Sequence, residues 1–212
     1  DGSLDTDFLT GLSGADGSIF TLLVQTDGRV LIGGAFGNVN GVVRNRIARL
    51  GTDGTLDVGF SPGSGADGSV FATAEAFSGT ERKLYKRGAF ALFQSVFHPG
   101  IVRVNDNGII DPGFVNTGVN GIVYAIATYP SNSISAGKVL IAGSFTTVNG
   151  INQTNIARLN YDGSLDTNFV ATTDGIIRAL AIQSDGGILV CGEFGNVNST
   201  PANRLARLNP DG

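Results

Sequence analysis

Methionine and tryptophan are absent from the 212 residues, cysteine and histidine occur once each, and charged side chains make up only 15%. A chain without methionine is not an unprocessed translation product. This one begins and stops on the same repeat boundary, so we expect a processed chain or a segment of a longer one. One cysteine, Cys191, leaves no intrachain disulfide; within the apolar string GILVCGEF it is expected to be a small buried hydrophobe. The only histidine, His98, lies two repeats away, and the glutamates (Glu75, Glu81, Glu193) show no convergent spacing. Nothing here assembles a nucleophile with its base, paired acids or a metal-ligand cluster, so the chain reads as no enzyme, with no cofactor and no metal site. Basic residues number 14 against 18 acidic, which excludes charge-driven binding to nucleic acid or an anionic membrane surface. No apolar run approaches the roughly 20 residues that span a bilayer, and no signal-peptide pattern is present.

Glycine takes up much of the room, with 32 residues beside many Asn, Thr and Ser, while 42% of the chain is hydrophobic. That mixture suits short strands joined by tight turns, because glycine supplies the positive φ that such turns need.

The turns recur. The string DGSLD at Asp1 returns as DGTLD at Asp53, NGIID at Asn107 and DGSLD at Asp162, and a last DG stands at Asp211, at spacings of 52, 54, 55 and 49 residues. A GxF element ends at Phe36, Phe90, Phe145 and Phe194, and 13 residues after each stands an arginine: Arg49, Arg103, Arg158, Arg207. Asp57, Asp111 and Asp166 follow 8 further on, and Phe60, Phe114 and Phe169 come 3 after those; Asp5 and Phe8 give the same pair near the start. Length changes fall between the second phenylalanine and the next GxF, as expected of stacked units that absorb insertions at a hairpin tip.

Each repeat holds four strand-like runs, exemplified by SIFTLLVQ, RVLIGGAF, RIARL and SLDTDF. The first two are apolar at nearly every position and are expected to be covered on both faces. The third alternates, which suits a strand nearer the rim. TDGR at 26–29 and SDGG at 184–187 read as two-residue Asp-Gly hairpins. Four sheets of this kind, sandwiched face to face, make an all-β propeller of four tandem four-stranded blades, either a closed four-blade ring or part of a larger one. We take 1–212 as one domain with repeats near 1–52, 53–106, 107–161 and 162–212. The N-terminal SLDTDF run is expected to complete the last blade.

The strings DGSLDTDF and QTDGRVLIGGAFGNVNGVVRNRIARL, with their three echoes, resemble the delta-60 repeat, a β-propeller repeat of unknown function. The resemblance covers essentially the whole chain. It implies a secreted or cell-surface protein, mostly bacterial, and no catalytic residue.

Repeat two departs from the pattern. Lys86 stands where the others have Ile32, Ile141 and Val190, Arg87 where they have Gly33, Ala142 and Cys191, and LFQSVFHPG replaces the VNG region. Either the blade is degenerate, or Lys86, Arg87 and His98 form a ligand or partner site. A buried unpaired lysine is costly, so these heads are expected to reach solvent, an acid or a partner.

Other motifs carry milder readings. Asn105, Asn107 and Asp111, or Asn160, Asp162 and Asp166, could ligate calcium, but Asx-turns explain the same residues without the EF-hand spacing. Arg49 with Asp57, and Arg158 with Asp166, are expected to pair within a blade. GADGS precedes strands, not helices, so it is no phosphate loop. Asn152-Gln153-Thr154 and Asn198-Ser199-Thr200 match the glycosylation pattern. The expected role is a binding scaffold for a protein or glycan partner, with the long YPSNSISAG loop as a contact candidate. A structural subunit tiling into a filament or surface layer, and a carbohydrate-active enzyme, are the alternatives. A homodimer completing a larger ring is also open, with Lys86 and Arg87 at its seam.

Overall fold

The computed structural model describes residues 2–8, 10–78, 80–115, 118–130 and 133–212, and among these there are strands and turns but no helix. In chain order, β1 (Ile19–Val24), β2 (Val30–Gly34), β3 (Asn38–Val39), β4 (Val42–Val43) and β5 (Ile47–Leu50) build the first unit. The second is β6 (Val70–Ser78), β7 (Glu81–Gly88), β8 (Leu92–Phe93), β9 (Val96–Phe97) and β10 (Ile101–Asn105). The third is β11 (Ile122–Thr128), β12 (Val139–Ser144), β13 (Thr147–Val148), β14 (Ile151–Asn152) and β15 (Ile156–Leu159). The fourth is β16 (Ile177–Ile182), β17 (Ile188–Gly192), β18 (Asn196–Val197), β19 (Thr200–Pro201) and β20 (Leu205–Leu208). Each unit is a three-stranded antiparallel sheet, β1-β2-β5 and its equivalents, plus a two-stranded ribbon, β3-β4 and its equivalents. The fourth run of the repeat touches its sheet only by single bridges: Leu56 to Leu50, Ile110 to Val104 and Leu165 to Leu159.

The turn chemistry differs from expectation in an instructive way. At the Asp-Gly sites only the glycine has positive φ, +84° at Gly28 and at Gly186, and the Gln25 N–H donates to the Arg29 carbonyl. These are three-residue loops with a bulge rather than two-residue hairpins. The two-residue turn with both residues at positive φ is the ribbon tip: Asn40-Gly41, Gln94-Ser95, Asn149-Gly150 and Asn198-Ser199. Repeat two, like repeat four, therefore keeps this ribbon backbone without the glycine of the first and third, so its ribbon is not degenerate in shape.

Consecutive sheets stack face to face, β1 on β6, β6 on β11 and β11 on β16. Apolar side chains fill each gap: Leu31 and Ile47 meet Val70, Leu84 and Val102 between the first two sheets, and Ile101 and Tyr85 meet Val123, Ile141 and Leu159 between the next two. β5, β10 and β15 each stand third in their sheet, away from the β1, β6, β11 and β16 strands that meet one another, as expected of a run nearer the rim, yet every residue of Ile47–Leu50 and Ile156–Leu159 is covered. β1, expected to be covered on both faces, instead exposes Leu22 and Val24. Phe36 and Val39 cover Ile32, Ala48 and Leu50 on that side of the first sheet, but among the described residues no other sheet packs on β1 there. Nor does the N-terminal SLDTDF run complete the last sheet. Among the described residues 2–8 there is no strand, and Leu4 is 86% exposed.

The recurring polar residues hold this stack together. Arg49, Arg103 and Arg158 pair through Nε with Asp57, Asp111 and Asp166 at 2.8, 2.8 and 2.7 Å, as the spacing suggests. Their other terminal nitrogen reaches the following sheet: Arg49 to the Asp106 carbonyl, Arg103 to that of Tyr161, Arg158 to that of Pro210. A second tie went unnoticed in the sequence. Asp16, Asp67, Asn120 and Asp174 each accept two consecutive main-chain N–H groups at the start of the ribbon. The calcium-like turns use their oxygens internally too, Asp53 on Thr55 and Asp162 on Ser164.

Candidate functional site

The three residues singled out in repeat two do not converge. Lys86 and Arg87 are neighbours on β7 and so point to opposite faces. Lys86 turns toward the first sheet, where it is fully buried with Nζ 5.4 Å from the Phe60 ring and 5.6 Å from that of Phe93. Its Nζ makes no hydrogen bond. The expectation that this head must reach solvent, an acid or a partner is thus corrected: the amine is housed among rings, and burial, with the nearby Arg49 charge, pulls its pKa well below the usual lysine range. Arg87 turns toward the third sheet, lies over Phe71 and donates to the Val123 carbonyl. It is an internal tie, and neither residue is available at an outer seam. His98 sits beyond the β9 ribbon strand, half-buried, with its pKa lowered by burial.

The place where repeat two does open a site is the β6–β7 hairpin. β6 and β7 span 9 and 8 residues, against 6 and 5 for β1 and β2, so this hairpin projects past its neighbours. Its added length carries Phe77, Glu81, Arg82 and Lys83, and beside it lies a cavity of about 1020 Å³ shared with Arg29, Asn105, Asp106 and Asn107 of the adjoining turns.

Arg82 is the hub. Its guanidinium reaches back to the first sheet, bonding Asp27 at 2.8 Å and Thr26 at 3.0 Å, and forward to Asp106 at 3.1 Å. It lies over Phe77 and pairs with Glu75 at 3.2 Å. Arg29 grips Asp27 at 2.7 Å and Asp57 at 3.0 Å. Lys83 bonds Asn105 at 2.7 Å and pairs with Glu81 and Asp111. The Arg29 guanidinium, together with Arg82, holds the Asp27 carboxyl far below the usual range, whereas burial raises that of Glu75 despite Arg82. Two acids a few ångströms from one cation thus sit in unlike environments. What the cavity offers a ligand is a rim of guanidinium, carboxylate and amide groups around one aromatic ring. Sequence reasoning missed it because each residue is ordinary and the assembly joins two repeats. The YPSNSISAG loop candidate lies partly outside the described residues, at Ser131 and Asn132.

Among the described residues no three His, Cys, Asp or Glu side chains gather to hold a metal ion, and no helix is long and apolar enough to cross a membrane.

Comparison with known proteins bears on the fold. No curated protein sequence matches the chain. Among solved structures it is similar to selenomethionine-substituted virginiamycin B lyase from Staphylococcus aureus, at 15% identity and a TM-score of 0.55, over 93% of this chain and 57% of that one. At that identity the likeness is one of fold, and the chain spans little more than half the length of that protein. Residues 25–60, 136–169 and 183–212 match a family described as a domain of unknown function (DUF5122) beta-propeller. The stretch between them that is not matched carries the divergent second sheet. Over those three stretches the chain is similar to this β-propeller repeat family of unknown function.

Proposed function

We propose that the chain is a non-enzymatic β-propeller module, its four sheets being four blades, that acts as a binding scaffold outside the cell or on its surface. The hairpin-end cavity of the first two sheets is its binding site, and a neutral, hydroxyl-rich ligand of the oligosaccharide class is its best-fitting occupant. The recurrent arginines and aspartates are committed to holding sheet on sheet, which leaves the non-recurrent groups at Glu75–Lys83 to serve a ligand. A sugar chain can donate to Asp106 and Glu81 and accept from Arg29 and Asn107 at once, and can rest a C–H face on Phe77. A strongly charged ligand would instead have to break the Arg29–Asp27 and Arg82–Asp106 pairs.

The observation that carries this reading is Arg82 spanning Asp27 and Asp106 across two sheets. Calorimetric titration with a panel of neutral oligosaccharides tests it. Saturable heat that is lost in Arg82→Ala supports the reading; a flat trace for every sugar, with the chain intact by circular dichroism, removes it. The structural alternative, copies tiling through bare sheet faces, is favoured by the exposure of Leu22, Val24 and Leu205.

A further inference from the structure

The third repeat inserts a longer loop between its first two strands, and that loop builds a second cavity that the repeat itself does not require. Gln25 and Gln183 follow β1 and β16, and their N–H groups close the loop at once on the carbonyls of Arg29 and Gly187. Tyr129 follows β11 in the same way, but its N–H reaches on to the carbonyl of Lys138. The described part of the loop satisfies its own main chain: the N–H groups of Ser133, Ala136 and Lys138 donate to the carbonyls of Pro130, Ser133 and Ser135. Its side chains are left over for another use. Together with the turn at Ser184–Gly186 they enclose a cavity of about 160 Å³ between the third and fourth sheets, lined by Tyr129, Ser133, Ser135, Ser184, Asp185 and Pro210.

Two hydroxyls in this cavity have nothing to bond. Tyr129 is 4% exposed, and its Oη makes no hydrogen bond. The Oγ of Ser133 is covered and unpartnered as well. Arg158 lies 5.9 Å from the Tyr129 ring centroid, but it commits Nε to Asp166 and Nη1 to the Pro210 carbonyl. A buried hydroxyl without a partner is costly. Two of them in one cavity mark a place where an occupant supplies the bonds.

The walls set the class of that occupant. Among the described residues no lysine or arginine lines the cavity, so an anion finds no counter-charge. A cation would face Arg158 across the Tyr129 ring, and the one lining carboxylate, Asp185, is 62% exposed and already accepts the Gly187 N–H. Hydroxyls both donate and accept, and their complement is a neutral ligand that carries hydroxyls on a compact frame. Such a frame can rest against the Tyr129 ring and Pro210. The volume holds several waters at about 30 Å³ each, which is room for one small ring and not for a chain.

We infer that this cavity binds one neutral pyranose unit, with the Tyr129 Oη and the Ser133 Oγ as its hydrogen-bonding anchors. It is separate from the cavity beside Arg82, and the inference does not rest on what that cavity binds.

Amide chemical shifts of the isotopically labelled chain, titrated with the methyl α-glycosides of glucose, galactose and mannose, test it. At least one glycoside is expected to give saturable shifts at 129, 133–135 and 184–186, and to do so equally in Arg82→Ala. Tyr129→Phe and, separately, Ser133→Ala each remove one hydroxyl and should weaken that binding by about five- to tenfold, the worth of one neutral hydrogen bond. Tyr129→Phe should leave the melting temperature unchanged or raised; if it falls, water holds that hydroxyl in the free chain and Ser133→Ala decides. The matching disaccharide identifies the source of the pyranose: tighter binding assigns the end of a glycan chain, and equal or weaker binding the free sugar. No saturable shift at these positions for any of the three glycosides overturns the inference and leaves water as the occupant. Binding that neither substitution weakens overturns it too.

Discussion

Arg49 of the first sheet bonds Asp106 of the second twice, at 2.7 Å through the carboxylate and at 2.8 Å through the main-chain carbonyl. The same side chain pairs with Asp57 in its own sheet and lies over the Phe60 ring. A buried guanidinium is stable only when its donors are met. Here one side chain draws partners from two sheets, and that joins them.

Removing an internal arginine should therefore cost far more than removing the terminal one. Arg158→Ala leaves the buried Asp166 with Lys138 alone and removes the bond to the Pro210 carbonyl, and should lower unfolding free energy by about 3 kcal/mol. Arg207→Ala, whose side chain is 48% exposed, should stay within about 0.5 kcal/mol. Denaturant melts of the two variants, followed by circular dichroism, check the contrast.

Lys86 should be a liability at neutral pH. Its folded pKa lies well below the unfolded value of about 10.4, so the unfolded chain binds the extra proton. Stability should then rise with pH and level off above that value. Lys86→Met should remove this alkaline rise and stabilise the chain at pH 7 by about 1–4 kcal/mol, the range found when buried ionic groups are replaced by apolar ones. Melting temperatures of both proteins between pH 7 and 10.5 give the comparison.

The acid limb has the opposite sign. Burial works to raise the Asp166 carboxyl, but bonds from Lys138 and Arg158 outweigh it and the net pKa lies below the ordinary value; Asp57 behaves likewise with Arg49 and Arg29. The stability these carboxylates contribute is complete above about pH 3.9 and is lost as pH falls through their lower folded values. Asp166→Asn should flatten that loss and already be destabilised at neutral pH, as acid titration of the two proteins would reveal.

Ser95 and Ser199 sit at φ +63° and +62°, where Gly41 and Gly150 stand in the sibling ribbons. Left-handed backbone costs a non-glycine residue about 1 kcal/mol, so Ser95→Gly should stabilise by a fraction of that, legible as a rise in melting temperature with no change in mass.

The repeat, the all-β class and the Arg–Asp pairing were legible because they lie on side chains at fixed spacing. The inter-sheet half of each arginine was not, since its acceptor is a main-chain carbonyl whose own residue varies: Asp106, Tyr161, Pro210. The clamps at Asp16, Asp67, Asn120 and Asp174 were hidden by the variable loop between them and the ribbon they grip. Lys86 misled because a lysine in an apolar run suggests a solvent-seeking charge, while the fold surrounds it with Phe60 and Phe93. The hairpin-end cavity needed Arg82 and Asp27 brought together from two repeats, which no local pattern announces.

Hydrogen exchange of Arg103→Ala against the unaltered chain tests most directly whether these arginines join neighbouring sheets. Arg103 pairs with Asp111 in its own sheet, donates to the Tyr161 carbonyl and lies 4.2 Å from the Tyr161 ring centroid. The account predicts lost protection in the second sheet and also in the 160–164 turn of the third, where Asn160 and Gly163 donate main-chain bonds. Loss confined to the second sheet, with that turn protected as before, would contradict it.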